Sequence, residues 1–167
     1  MDSISLRAPE PRDANLIYIW ENSSDESHSS FRPGPLSRAQ INSFIENYDG
    51  EIYSQGALRF MIDVEEQTVG TVDVFDYDHR ARHAFVGIYV SPQFRRHGLA
   101  MQALKAIEKH MYRRVGMYSL AALVADDNIP SRRLFNKAGF KVAGTMKGWF
   151  CDGTERVDAL VYQKILS

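Results

Sequence analysis

The stretch VSPQFRRHGLAMQALKAIE, Val90–Glu108, decides the fold, because it leads from an apolar strand through a loop into an amphipathic helix. Apolar residues recur at helical spacing from Leu99 onward, so the sequence predicts a helix from about Leu99 to Val115. No polar side chain is positioned to cap this helix, which leaves up to four N–H groups to be satisfied. Gly98 and Ala100 let another molecule approach these groups closely, and a phosphate would satisfy them.

Two basic side chains, Arg95 and Arg96, stand beside this helix start and would add positive charge to a phosphate site. The alternative is a plain tight turn at Gly98 with both arginines in solvent. A dinucleotide-binding loop is disfavoured, because the pattern G-x-G-x-x-G is absent and no acidic residue follows at the required spacing.

The segments around this stretch predict an α/β protein with one mixed, mostly antiparallel sheet. A strand at Ala84–Val90 precedes the helix and the apolar strand YSLAALVA follows it, so a right-handed crossover joins two parallel strands. The strands before Ala84 form an antiparallel meander, and Ser37 offers a capping box to the second helix. The other predicted elements are strands at 3–7, 58–64, 69–75, 140–146 and 157–165 and helices at 11–22, 37–49 and 129–139.

Composition restricts the classes of function. The 167 residues are 44% hydrophobic and 25% charged, which is typical of a globular domain, and the absence of a linker or repeat predicts a single domain over 1–167. The 20 basic and 21 acidic residues nearly balance, so neither nucleic acid nor a membrane surface is expected as the main partner. No signal peptide or membrane span is visible, which predicts the cytoplasm. The lone Cys151 excludes an internal disulfide and a multi-cysteine metal site, and no metal is expected.

The loop and helix resemble the signature of the GNAT superfamily, the acetyl-CoA-dependent N-acetyltransferases. The family pattern Q/R-x-x-G-x-G/A is matched by Arg95-Arg96-His97-Gly98-Leu99-Ala100. The stretch DNIPSRRLFNKAGF resembles the second family signature, with matching positions at Asn128, Ser131, Leu134, Gly139 and Phe140. The segments LRAPEPRDANLIYIWEN and PLSRAQINSFIEN look like the branch that contains spermidine acetyltransferases and ribosomal-protein N-terminal acetyltransferases. The resemblance therefore covers essentially the whole chain.

The resemblance implies a GNAT-like sheet of about seven strands with flanking helices, two splayed parallel strands, and acetyl-CoA as the donor. The coenzyme pyrophosphate would lie on the amides before and within the helix start, and the pantetheine arm would follow the strand that ends at Val90. For Ser131 the alternative is an ordinary serine in a helix N-terminal turn, and for His97 it is a solvated loop side chain. The implied cofactor residues are Ile88, Tyr89, Val90, Arg95, Arg96, His97, Gly98, Leu99, Ala100, Asn128 and Ser131.

Two groups that many family members use for proton transfer are replaced here. Phe135 stands where many members have a tyrosine that protonates the departing thiolate, and Phe85 stands where many have a glutamate. The coenzyme thiol has a pKa of about 8.5, so its thiolate is a fair leaving group without help from an acid. The attacking amine has a pKa of about 10.4, and removal of its proton near pH 7 costs roughly 4 to 5 kcal/mol. Ser131 is a candidate for a hydrogen bond to the departing sulfur. The candidate proton acceptors are the carboxylates of Glu21, Asp25, Glu26, Asp73 and Asp76, each of which could instead be a solvated surface acid.

Aromatic side chains could wall an acceptor pocket, namely those of Trp20, Phe31, Trp149 and Phe150, although core packing is the competing role for Trp20. Three functions fit the sequence. The first is acetyl transfer to a primary amine, such as a polyamine, by direct attack in a ternary complex. The second has a protein N-terminus as acceptor, and the third is a non-catalytic acyl-CoA-binding domain. A homo-oligomer is compatible with each of them.

Overall fold

The computed structural model of the protein describes residues 3–23 and 34–167. Its strands form one seven-stranded sheet in the order β1-β2-β3-β4-β5-β7-β6. The strands are β1 (Ile4–Arg7), β2 (Leu58–Val64), β3 (Gln67–Asp78), β4 (His83–Val90), β5 (Ser119–Ala125), β6 (Lys141–Asp152) and β7 (Glu155–Ile165). The helices are α1 (Ala14–Glu21), α2 (Arg38–Glu46), α3 (Ile52–Gln55), α4 (Leu99–His110) and α5 (Ile129–Lys137).

The sheet confirms the predicted α/β class and the mixed topology. Strands β1 to β4 pair antiparallel in sequence order, which is the expected meander. Strands β4 and β5 are parallel, and α4 is the crossover between them. Strand β7 lies between β5 and β6 and is antiparallel to both.

Helices cover both faces of the sheet, and the larger core lies under α4 and α5. The predicted apolar positions of α4 are buried there, together with the inward side chains of five central strands. A smaller cluster packs α1 and α2 on the opposite face, around Ile17, Ile41, Ile45 and Met61. We refer to these surfaces as the α4 face and the α1 face. None of the helices within 3–23 and 34–167 is long and apolar enough to cross a membrane.

Helix ends agree with the sequence where local capping decides them. The Ser37–Gln40 capping box is present at the start of α2, and Gly139, with φ of +92°, follows α5. Helix α4 continues into a π-helical turn at Met111–Val115, so the predicted end at Val115 is confirmed.

The structure departs from the predicted elements in several places. The first helix begins as a 3-10 turn at Pro11–Asp13 and becomes α-helical only at Ala14. Helix α2 ends at Glu46, because the Asn47 side chain bonds back to the Ser43 carbonyl oxygen. The short α3 was not predicted, since it depends on the tertiary burial of Ile52. Strand β6 runs six residues past Met146, because a bulge between Met146 and Phe150 lets the hairpin with β7 continue.

An ion cluster fastens β1 to the loop before α1. Arg7 donates hydrogen bonds to Asp13, at 2.7 and 2.9 Å, and to Thr68 at 2.9 Å, and it also pairs with Asp63. Burial alone would raise the pKa of Asp13, but the Arg7 guanidinium and the Glu10 amide together hold that pKa below its ordinary value. The ionised form of Asp13 is therefore favoured in the folded protein.

Candidate active site

The start of α4 has the uncapped geometry that the sequence predicts. Gly98 is the N-cap residue with φ of +78°, and no described side chain caps the helix. The first hydrogen bond of the helix runs from the Gln102 amide to the Gly98 carbonyl oxygen at 3.1 Å. The amides of the first helical turn, which precede Gln102, therefore have no partner inside the helix and point out of its end. A Cβ added to Gly98 would meet nothing within 4 Å, so the space beside this glycine is open. The arrangement suits an anion.

The basic residues of the loop are placed unequally. Arg95 folds back along β4, where its Nε donates to the Val90 carbonyl oxygen at 2.8 Å and its guanidinium lies 5.7 Å from the Tyr89 ring centroid. Arg96 is exposed and has φ of +67°. His97 is also exposed, with Nδ1 3.3 Å from the Phe94 carbonyl oxygen. Both arginines are exposed, and these contacts hold Arg95 against β4.

Strands β4 and β5 separate beyond their first residues. They pair only at His83–Ser119, Ala84–Leu120 and Phe85–Ala121. From there β4 continues along β3 to Val90, while β5 continues along β7 to Ala125. The segment of β4 that contains Ile88, Tyr89 and Val90 therefore borders a widening gap, which is the splayed geometry expected for a pantetheine arm.

The second signature begins at the opposite side of this gap, directly after β5. Asn128 caps α5, because its Oδ1 accepts a hydrogen bond from the Ser131 amide at 3.1 Å. The Ser131 side chain is half-buried, and its hydroxyl makes no hydrogen bond within the described part of the chain. The helix cap is thus supplied by Asn128, and the Ser131 hydroxyl is not needed for it.

The two replaced positions differ in their surroundings. Phe135 is only 3% exposed and packs in the core, with its ring centroid 5.1 Å from that of Phe140 and 5.9 Å from that of Tyr162. Phe85 lies at the last rung that joins β4 to β5 and stacks on Phe75 at 5.8 Å. Phe135 therefore serves packing on the α4 face, whereas Phe85 stands where the gap begins.

Two of the candidate carboxylates converge on an arginine that the sequence analysis missed. Arg59 binds Asp73 through Nε at 2.7 Å and Nη2 at 2.9 Å, and its Nη1 lies 2.6 Å from Glu21 Oε1. Burial acts to lower the pKa of Arg59, but the charges of Asp73 and Glu21 raise it above its ordinary value. The three side chains, which we call the Arg59 triad, join β2, β3 and the end of α1 and carry one net negative charge.

The remaining candidates are not brought into this triad. Asp76 is exposed in an irregular part of β3, at φ of +52°. Trp149 is half exposed, and Phe150 is buried in a small cluster with Ala125 and Ala159. Asp25, Glu26 and Phe31 lie outside the described residues.

A cleft of about 310 Å³ opens on the α1 face beside the end of β4. Trp20 lines it, in addition to contacting the small core, and its ring centroid lies 5.4 Å from that of Tyr89. Leu16, Ile19 and Ser91 are further parts of the wall. Trp20 thus packs against the small core and lines this cleft, and its role at an acceptor pocket stays a prediction.

Comparison with known proteins agrees with this geometry. Residues 3–141, which contain both signature segments, match the family described as acetyltransferase (GNAT) domain. A spermidine N(1)-acetyltransferase of Escherichia coli K12 is 25% identical over 155 residues, which are 92% of this chain and 82% of that protein.

Solved structures of related proteins share the fold. The spermidine N-acetyltransferase from Vibrio cholerae, in complex with CoA and spermine, superposes with a TM-score of 0.85 at 19% identity, over 98% of this chain and 95% of that one. The ribosomal L7/L12 α-N-protein acetyltransferase RimL, in complex with coenzyme A, gives a TM-score of 0.86 at 17% identity, over 98% and 94% of the two chains. Because the family match spans most of the chain and includes the open helix start, this protein belongs to the GNAT family of acetyl-CoA-dependent N-acetyltransferases.

Proposed function

We propose that this enzyme transfers the acetyl group of acetyl-CoA to a primary amine of a polyamine or a similar small amine, by direct attack in a ternary complex. The observation that carries the proposal is the position of Asp73. It pairs in register with Gly87 of β4, one strand away from the gap between β4 and β5. An ammonium group that approaches the gap from the α1 face would therefore come close to the negative charge of the Arg59 triad.

The length of the coenzyme supports the same location. With its pyrophosphate at the start of α4, the pantetheine arm would run back along β4 from Val90. The arm is about as long as four extended residues, roughly 14 Å, which brings the thioester to the level of Val86 and Gly87. Ser131, at the start of α5, would approach the sulfur from across the gap.

The chemistry then requires one bond to form and one to break. The neutral amine attacks the thioester carbon, a C–N bond replaces the C–S bond, and coenzyme A leaves as a thiolate that is a fair leaving group at pKa about 8.5. The amine proton passes to Asp73 or Glu21, directly or through water, and then to solvent. The Ser131 hydroxyl donates a hydrogen bond to the departing sulfur.

The test is a thiol-release assay with acetyl-CoA and a panel of spermidine, n-butylamine, free amino acids and short peptides with free N-termini. We expect the highest kcat/KM for spermidine or another small amine. Double-reciprocal plots should intersect, since parallel lines would indicate an acetyl-enzyme intermediate. If no amine of the panel causes release of thiol from acetyl-CoA, the proposal is wrong.

A second candidate acceptor is a protein N-terminus, and the cleft beside β4 favours it. The apolar wall formed by Leu16, Ile19 and Trp20 could hold the side chains of a peptide. A kcat/KM for the peptides at least tenfold above that for spermidine would select this candidate.

A further inference from the structure

Gly87 is a glycine that the fold does not require. Its φ is not positive, and a Cβ added to it would meet only Cε1 of Phe75, at 3.6 Å, which is an ordinary van der Waals contact. Gly70 shows the contrast, since a Cβ there would lie 2.1 Å from the Tyr89 carbonyl oxygen. Packing explains Gly70, whereas Gly87 leaves a space that a larger side chain could have filled.

The missing side chain leaves room over Gly87 on the α1 face, and we call this surface, between Phe85 and Tyr89, the slot. Side chains alternate along a strand, so Phe85, Gly87 and Tyr89 share a face, and the contact of Tyr89 with Trp20 of α1 identifies it. Phe85 stacks on Phe75 at one end, and Tyr89 pairs with Trp20 at the other. The Cα atoms of Phe85 and Tyr89 are about 13 Å apart in an extended strand. Two aromatic pairs therefore bracket the glycine.

The other two sides of the slot carry the groups that the reaction needs. On the β3 side, Asp73 is the residue in register with Gly87, and Arg59 holds its carboxylate. On the β5 side, the strands have separated past Phe85, where the proposed thioester lies. An amine above Gly87 would have aromatic side chains at both ends, a negative charge beside it and the acyl carbon within reach, which suits an amine carried on an apolar alkyl chain.

We infer that Gly87 is a specificity-determining residue, the floor of a slot that admits an unbranched aminoalkyl chain and excludes amines branched at the carbon that bears nitrogen. An alkyl chain packed over the Gly87 Cα would lie just beyond the Cβ position, which is itself 3.6 Å from Phe75 Cε1, so a slender chain fits beside the ring, whereas a second substituent on the carbon that bears nitrogen would be crowded by it. This inference rests on the proposed function and narrows its substrate class. A peptide α-amine, whose carbon is always branched unless the residue is glycine, would fit poorly.

The experiment compares n-butylamine with its isomer sec-butylamine, which moves one carbon onto the carbon that bears nitrogen. For the wild type we expect a kcat/KM at least tenfold higher for n-butylamine, the effect of one misplaced methyl group in a tight site. Gly87→Ala places a methyl group on the slot floor and should lower kcat/KM at least tenfold for n-butylamine and for spermidine. Gly144→Ala is the matched control, because a Cβ at that strand glycine meets nothing within 4 Å, and it should stay within twofold of the wild type.

Two further measurements separate a specific effect from a general one. The affinity for acetyl-CoA, from calorimetry, should change less than twofold in Gly87→Ala, and its thermal midpoint should stay close to that of the wild type. Phe75→Leu removes the ring that narrows the slot and should reduce the preference for n-butylamine at least threefold. This second variant tests the slot without adding any atom to β4.

The outcomes distinguish the inference from the function on which it rests. If the wild type acetylates no amine, the proposed function fails and the slot fails with it. If the wild type is active but Gly87→Ala behaves as Gly144→Ala does, the slot alone is overturned. Equal use of the two butylamines by the wild type would also overturn the slot.

Discussion

Removal of the Arg59 guanidinium should destabilise the protein through the two carboxylates that it leaves behind. Arg59→Met keeps most of the length and apolar bulk of the side chain. It deletes the paired contacts to Asp73, at 2.7 and 2.9 Å, and the contact to Glu21 at 2.6 Å. Asp73 and Glu21 would then face each other as like charges.

The size of the effect follows from how deeply these groups are buried. Breaking a fully buried ion pair by removing one partner costs about 3 to 5 kcal/mol. Here the side chains of Arg59 and Glu21 are 19% exposed and that of Asp73 is 29% exposed, so water can solvate part of the stranded charge. We therefore expect a loss of about 2 to 4 kcal/mol in the free energy of unfolding. In a chain of this size, about 3 kcal/mol corresponds to a fall of about 6 to 12 °C in Tm.

Urea unfolding at pH 7 would measure this loss, and a triple variant shows its origin. In Arg59→Met combined with Asp73→Asn and Glu21→Gln, the stranded charges are gone, so we expect more than half of the lost stability to return. A loss below about 0.5 kcal/mol in the single variant would show that the triad is as weak as an exposed surface pair. A triple variant no more stable than the single variant would refute the charge argument.

Four further variants test other parts of the structure. Gly98→Asp should weaken acetyl-CoA binding at least tenfold in calorimetry, because it puts a carboxylate at the start of α4. Gly116→Asp is the control, since it adds the same charge at a glycine of similar φ, and it should leave the affinity for acetyl-CoA unchanged. Ser131→Ala should lower kcat roughly 2- to 13-fold, because it removes one hydrogen bond worth about 0.5 to 1.5 kcal/mol. A thousandfold loss of kcat at unchanged coenzyme affinity would instead show that this serine is an essential acid. Phe135→Tyr should not raise kcat, and it should lower the free energy of unfolding by about 1 to 3 kcal/mol, because the added hydroxyl would be buried among apolar side chains. A tenfold rise in kcat would contradict this prediction. Asp13→Asn should reduce the free energy of unfolding most above about pH 5. The difference from the wild type should shrink as the pH falls below about 4, where Asp13 becomes protonated first in the unfolded chain, and it should vanish only below the lowered pKa of Asp13 in the folded protein.

The sequence predicts the fold well where the pattern is local. Helix α4 and strand β2 follow directly from apolar periodicity, and both begin at the predicted residue. The short α3 and the extension of β6 were missed, because the first depends on burial of Ile52 by distant residues and the second on a bulge near Gly148. Local pattern carries no information about which distant residue will cover a side chain.

In the candidate site too, the part that is contiguous in sequence could be predicted and the part that depends on tertiary contacts could not. The turn that we expect to bind the pyrophosphate is contiguous in sequence, so its uncapped helix start could be predicted without a structure. The Arg59 triad could not, because it joins residues 21, 59 and 73, which come together only through the register of β2 with β3 and the docking of α1. The only sequence signal was a charged residue at an alternating position of β2, which equally suits a solvated strand. The slot over Gly87 likewise required knowledge of which face of β4 meets α1.

Phe85 and Phe135, which the resemblance places at positions of proton-transfer groups, can be interpreted from these surroundings. Under the proposed chemistry the difficult step is deprotonation of the amine, because the thiolate leaves readily without an acid. Apolar walls lower the pKa of a bound amine, since they solvate the ammonium form poorly, and Phe85 contributes such a wall through its stack on Phe75. The net negative charge of the Arg59 triad works in the opposite direction, because it attracts the ammonium form into the site. The triad would thus attract the charged amine, the aromatic rings would favour its neutral form, and the proton would leave through Asp73 or Glu21. The rate should therefore rise from about pH 6 toward pH 9 as the fraction of neutral amine grows.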